Sequence, residues 1–157
     1  MVEGDDALFH RYGSDLASAV EAALPAWIRA SVERYVPPGS LDPEASATLD
    51  ARIEKAGKAA VADIGSRLRD LLARDLDDQW TNPLSILRAA STYPTGILGG
   101  LGVAAVERDR HARRLHPDDL YDLTPGSFAD FGPDVHELGI TWGAAKAHLH
   151  LQRRRRA

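Results

Sequence analysis

The chain contains no cysteine among its 157 residues, and only 6% of its residues are aromatic. The lack of cysteine excludes disulfide bonds, thiolate metal sites and cysteine nucleophiles. No apolar run approaches the roughly 20 residues that a membrane-spanning helix needs. The first residues, MVEGDDALFH, are acidic where a secretory signal peptide is basic. The sequence therefore predicts a cytoplasmic protein with no membrane span.

The rest of the composition is typical of a globular protein, with 44% apolar and 27% charged residues. Alanine, the strongest helix former, is frequent, and β-branched residues are sparse. A chain of this length fits one domain with a proper core. We predict a single all-α domain over residues 1–152, with no strand, and a basic C-terminal tail at 153–157.

Two amphipathic stretches predict a long N-terminal αα-hairpin between residues 14 and 78. The first helix covers about residues 14–36, where apolar residues recur at helical spacing. Pro25 lies within it and should kink the helix or restart it just after Ala23, because proline removes a backbone hydrogen bond.

The second helix of the hairpin follows the turn VPPGS at 36–40. Asp42 is a suitable N-cap and Pro43 a suitable first residue, and the amphipathic pattern continues to about residue 77. Its apolar stripe comprises Leu49, Ile53, Ala60, Ile64, Leu68, Leu71 and Leu72. We expect this stripe to form core, with several shorter helices packed against the hairpin.

The most apolar segment, WTNPLSILRAASTYPTGILGGLGV at 80–103, should lie in the middle of the domain, and we call it the hub. It predicts two short helices, one capped by Asn82 and one by Thr95, with an interruption at Pro94 and a break at the glycines 99, 100 and 102. We expect the hub to be buried together with Trp142 through five residues: Leu84, Leu87, Ile97, Leu98 and Leu101.

The C-terminal third predicts a charged helix at about 103–115, a turn-rich segment and a last helix from about Pro133. In the turn-rich segment, Ser127 can cap a turn that buries Phe128 and Phe131. In the last helix, Gly139 and Gly143 offer small surfaces four residues apart.

Candidate catalytic and metal-binding patterns fail on spacing. The glycines at 96–102 lack the Lys-Ser/Thr ending of a phosphate loop, so they predict packing or a hinge. His136 and Glu137 would begin a zinc-protease helix, but position 140 is isoleucine. His148 and His150 point apart on a helix, and Ser127 does not lie in a nucleophile elbow. We predict no metal and no cofactor.

The run Arg153, Arg154, Arg155 and Arg156 could hold phosphates of nucleic acid or an acidic partner, with strong salt dependence. It lacks interleaved aromatic residues, and the rest of the protein is acidic, with a net charge of -4 for the whole chain. A solvated run that complements the C-terminal helix dipole explains it more simply.

Three segments carry a resemblance to a known family: NPLSILRAASTYPT at 82–95, DDLYDLTPGSFAD at 118–130 and GITWGAAKA at 139–147. Over about residues 80–150 the chain resembles a family of small uncharacterised actinobacterial proteins. The resemblance implies a cytoplasmic bacterial protein and transfers no activity or catalytic residue.

The leading functional hypothesis is a non-enzymatic interaction or regulatory protein that binds an unknown protein partner, a second copy of the chain included. One alternative is a small-molecule- or metal-dependent enzyme that uses the His/Asp-rich stretch 111–137, and another is a nucleic-acid-associated protein that uses the arginine run. The candidate ligand or partner surface comprises Tyr93, His116, Asp119, Tyr121, His136 and Trp142.

Overall fold

A computed structural model describes residues 4–73, 82–103 and 123–156. Within these ranges the chain is helical and contains no strand, and it packs as a single domain. The predicted all-α class, with a long N-terminal hairpin packed against shorter helices, is therefore confirmed. The helices are α1 (Asp5–Glu33), α2 (Pro43–Ala60), α3 (Ser66–Leu72), α4 (Pro83–Arg88), α5 (Thr92–Gly100) and α6 (Pro133–Arg156).

Helix α1 begins nine residues before the predicted start at residue 14. Gly4 precedes it, and Asp5 and Asp6 lie in its first turn, where negative charge complements the helix dipole. Of the two outcomes expected at Pro25, a kink or a restart, the restart is wrong, because α1 runs continuously through this residue. Opposite Pro25 lies Gly57 of α2, where a Cβ atom would come within 3.3 Å of the proline Cβ, so the glycine makes room for the ring.

The second arm of the hairpin starts as predicted. The Asp42 carboxylate accepts a hydrogen bond of 2.8 Å from the amide of Ala45, and Pro43 is the first helical residue. Helix α2 continues through one π-helical turn, Val61–Gly65, into α3. The predicted apolar stripe is buried except for Leu71, which is half-buried. The expected end near residue 77 is wrong, because α3 ends at Leu72 and Ala73 is its C-cap.

The hub breaks at a different point from the one predicted. A 3-10 turn, Ala89–Ser91, separates α4 from α5, while Pro94 lies in the first turn of α5. The first turn of a helix has no partner for its N–H groups, so proline costs little there, and the predicted interruption at Pro94 is wrong. The predicted cap at Asn82 is confirmed, since its side chain accepts from the amide of Leu84 at 3.0 Å.

The expected break at the hub glycines is present. Gly99 and Gly100 are the last two residues of α5, Leu101 is its C-cap, and Gly102 follows with a φ of 70°, in the left-handed region. Thr95 is buried inside α5 and therefore does not cap it. Of the five hub residues expected to be buried, Leu87, Ile97 and Leu98 are buried and the other two are half-buried, all in one core with Trp142.

Helix α6 packs along α1 and runs antiparallel to it. Just before α6, a 3-10 turn at Phe128–Phe131 places Phe131 on Trp27, with 5.3 Å between ring centroids. Further along α6, Trp142 stacks on Phe9 near the start of α1. The predicted cap at Ser127 is confirmed as a capping box with Asp130. The charged helix expected at 103–115 lies almost wholly outside the described residues.

Candidate functional site

Helix α6 has two opposite faces, and the first, which we call the inner face, anchors it to the domain. Val135, Trp142 and Leu149 are spaced seven residues apart and are all buried. Seven residues are almost two full helical turns, so these side chains form one column. The column faces α1, which is the main packing partner of α6.

Trp142 is the central anchor of the inner face, with 6% of its surface exposed. Its ring stacks on Phe9 at 5.8 Å, and the Lys146 ammonium lies 5.3 Å from its ring centroid. Gly13 of α1 lies next to the indole, where a Cβ would be in ordinary contact with Nε1 at 3.5 Å. No described residue accepts a hydrogen bond from the indole N–H. Trp142 therefore fixes α6 on α1 through its apolar area.

The second face of α6, which we call the outer face, points away from α1. Ile140 and Leu151 are the most exposed large apolar side chains of the described residues, at 59% and 53%. Ala144 and Ala147 lie between them and are also exposed. The charged and exposed residues Glu137 and Arg154 continue the column at its two ends. The outer face thus comprises Glu137, Ile140, Ala144, Ala147, Leu151 and Arg154.

The spacing along the outer face alternates between three and four residues. In the seven-residue repeat of coiled coils, written a to g, positions a and d have this spacing and form the seam along which one helix packs on another. The inner-face residues occupy position f of the same repeat, on the opposite side of the helix. The mean spacing of 3.5 residues is close enough to the helical period to keep the column on one side of α6 over its whole length. The outer face is therefore shaped for a second helix.

A groove beside the outer face extends its apolar surface onto α1. The groove has a volume of about 480 Å³ and lies between the start of α1 and the middle of α6. Leu8 and Tyr12 line it on one side, and Ile140 and Ala144 on the other. The groove therefore joins the outer face of α6 to an apolar strip on α1.

The arginine run is helical and forms the last turn of α6 instead of following it. Leu149 lines one groove with Asp5 and Leu8 at the start of α1, and the helix continues for seven residues beyond it. Arg154 and Arg155 are exposed. The use of this run for nucleic acid stays a prediction.

The predicted ligand surface is only partly described, because His116, Asp119 and Tyr121 lie outside the described residues. Tyr93 is on α5, where its hydroxyl donates to Asp63 Oδ2 at 3.1 Å. Partial burial, the hydrogen bond to Asp63 and the negative charge of Asp63 raise the pKa of Tyr93, and the positive charge of Arg67 lowers it by less. This contact attaches the hub to the π-helical turn.

The two other described members of the ligand surface are on α6 and have different neighbours. His136 is exposed in the first helical turn, with its backbone amide bonded to the carbonyl of Gly132, while Trp142 is buried against Phe9. Tyr93, His136 and Trp142 thus occupy three separate surroundings. A shared ligand site that includes the residues outside the description stays a prediction, as does the enzyme alternative.

A cluster that the sequence analysis missed joins α1 to α3. Arg69 donates from Nε to Glu21 Oε1 at 2.8 Å, from Nη2 to Glu21 Oε2 at 3.2 Å and from Nη2 to Ser18 Oγ at 2.9 Å. The hydrogen bond to Glu21 raises the pKa of Arg69. Gly65 leaves space for the carboxylate, because a Cβ there would come within 2.7 Å of it. The pairing of residues 48 positions apart gives no local signal in the sequence.

A cleft between the second half of α1 and residues 123–130 has a volume of about 360 Å³. Trp27 and Arg34 line one wall, and Thr124 and Asp130 line the other. The Asp130 carboxylate accepts from the amides of Gly126 and Ser127 and so closes the loop on itself. The tilted contact of Trp27 with Phe131 holds this segment on α1.

Neither a metal-binding group nor a membrane-spanning helix is present among the described residues. In this part of the chain, no three His, Asp or Glu side chains are grouped so that they could hold a metal ion. Nor is any helix in these ranges both long and apolar enough to cross a membrane.

Protein-family models, curated proteins and solved structures yield no match to this chain. The resemblance to an actinobacterial family therefore stays a prediction.

Proposed function

We propose that this chain is a non-enzymatic interaction protein that presents the outer face of α6 to a helix of a protein partner. The observation that carries the proposal is the exposed a/d column. Ile140 and Leu151 stand on the surface although an isolated domain gains nothing by exposing them, and their spacing fits helix packing.

The division of α6 into two faces supports this role. The inner face already secures the helix on α1 through Trp142 and Leu149. The outer face is therefore not needed to hold the fold, and it can bind a partner while the domain stays intact. Leu8 and Tyr12 add apolar area on one side of it.

Site-specific photo-crosslinking in the native host tests the proposal. A photoreactive amino acid at Ala147 should give an adduct of defined mass, and the same amino acid at Ala59 is the matched control because it replaces an exposed alanine on α2. Adding Ile140→Asp to the Ala147 probe should abolish the adduct, since a charge in the column opposes apolar packing. Equal labelling from the two positions, or none from Ala147, would refute the proposal.

A further inference from the structure

Charge is distributed unevenly along α6. Its first turns carry Asp134 and Glu137, whereas its second half carries Lys146 and the run 153–156. A parallel pair of such helices would set arginines beside arginines. An antiparallel pair sets the basic end of each helix beside the acidic end of the other, and like charges placed together across an interface oppose association.

The outer face is self-complementary in that antiparallel direction. In an antiparallel pair of helices, residues at a positions pack against residues at d positions. If Ala144 lies opposite the second copy's Ala147, then Ile140 lies opposite Leu151. One step further out, Glu137 lies opposite Arg154. Every member of the column meets a compatible residue in this one register.

The size of the side chains follows the same symmetry. Small alanines lie at the centre of the column and allow two helix axes to approach closely, large apolar residues lie next to them, and opposite charges close both ends. Since the same patch serves on both chains, the assembly is closed by a twofold axis and does not extend into a filament.

We infer that the outer face of α6 binds a second copy of this chain, as an antiparallel α6–α6 dimer in which Glu137 pairs with Arg154 at each end. The inference rests on the proposed function and names its partner. The column between Glu137 and Arg154 is about 26 Å long at 1.5 Å rise per residue. Leu8 and Tyr12 of each copy flank it.

A charge exchange measured by sedimentation equilibrium tests the dimer and its direction. Glu137→Arg alone places two arginines together, and Arg154→Glu alone places two glutamates together. Each single variant should weaken dimerisation by about tenfold or more, and the double variant should restore it to within about threefold of the wild type. Lys55→Glu, an exposed charge reversal on α2, should leave dimerisation unchanged.

Wild-type protein that stays monomeric up to about 0.5 mM would overturn the dimer, since so weak an association has no specific interface. Single variants that dimerise like the wild type, or a double variant that does not recover, would overturn the antiparallel register. Both residues are exposed, and circular dichroism verifies that each variant is folded.

The crosslinking at Ala147 separates this inference from the proposed function. An adduct with twice the mass of the chain supports the dimer. An adduct of another mass supports the proposed interaction protein and overturns the dimer. The absence of any adduct overturns both the proposed function and the dimer.

Discussion

The two faces of α6 are built on the same seven-residue repeat but meet opposite surroundings. On the inner face, Trp142 is 6% exposed and packs on Phe9. On the outer face, Ile140 is 59% exposed. The difference shows that apolar periodicity predicts which faces of a helix can pack against another element and does not predict which element packs there. One column packs against α1, and the other is exposed and available to a partner.

Truncating the centre of each face should give the largest contrast. We expect Trp142→Ala to lower the free energy of unfolding by about 3–5 kcal/mol, because it removes a large buried side chain and leaves a cavity. Ile140→Ala should change it by less than about 0.5 kcal/mol at concentrations where the chain is monomeric. Urea denaturation followed by circular dichroism measures both. Equal losses would mean that the outer face also belongs to the core.

The two glycines of α6 offer a second contrast on one helix. At Gly139 the ring of Phe128 occupies the space that a Cβ needs, so Gly139→Ala should destabilise the fold by about 1–3 kcal/mol. At Gly143 a Cβ meets nothing, so Gly143→Ala should stabilise it by about 0.5–1 kcal/mol through helix propensity. Thermal unfolding of the two variants distinguishes them. A loss of stability at both positions would contradict the open space beside Gly143.

Removing the hydroxyl of Tyr93 should have a smaller effect. Tyr93→Phe loses the hydrogen bond to Asp63 at a partly solvated site, which costs about 0.5–1 kcal/mol. Tyr12→Phe, on the groove side of α1, is the matched control and should have no comparable cost. Chemical denaturation of the pair measures the difference, and equal behaviour would exclude a stabilising role for the contact.

The same contact predicts a pH dependence. The pKa of Tyr93 is higher in the folded chain than in the unfolded chain. Its contribution to stability is therefore fully present below the ordinary tyrosine pKa of about 10 and is lost as pH rises through the folded value. The stability difference between wild type and Tyr93→Phe should shrink above about pH 10. A difference that grows with pH would contradict the sign of the shift.

Local chemistry made much of the fold predictable. Asp42 followed by Pro43, and Asn82 followed by Pro83, are start signals that act within a few residues, and both caps are present. The stripe from Leu49 to Leu72 was predictable for the same reason, since helical spacing needs no knowledge of the rest of the chain. The interruption predicted at Pro94 was wrong for a related reason. A proline breaks a helix when it lies in the interior and is tolerated when it lies in the first turn, and the sequence did not show that α5 starts at Thr92.

The candidate site was less predictable. The sequence analysis identified Trp142 but grouped it with Tyr93 and His136, which the fold keeps apart. The sequence analysis considered position 140 only because its isoleucine breaks the zinc-protease pattern, although the spacing between Ile140 and Leu151 was visible in the sequence. What was missing was knowledge of which apolar column α1 covers.

The sequence alone determined the helical class, the hairpin and the starts of α2, α4 and α6, because propensity, capping and periodicity act over a few residues. Tertiary structure decided which face of α6 is buried in the core and which glycines have a neighbour close to their Cα. It also decided which charges that are distant in sequence form a pair, as Arg69 and Glu21 do. These outcomes depend on contacts between residues far apart in the chain. Only the packed fold brings such residues together.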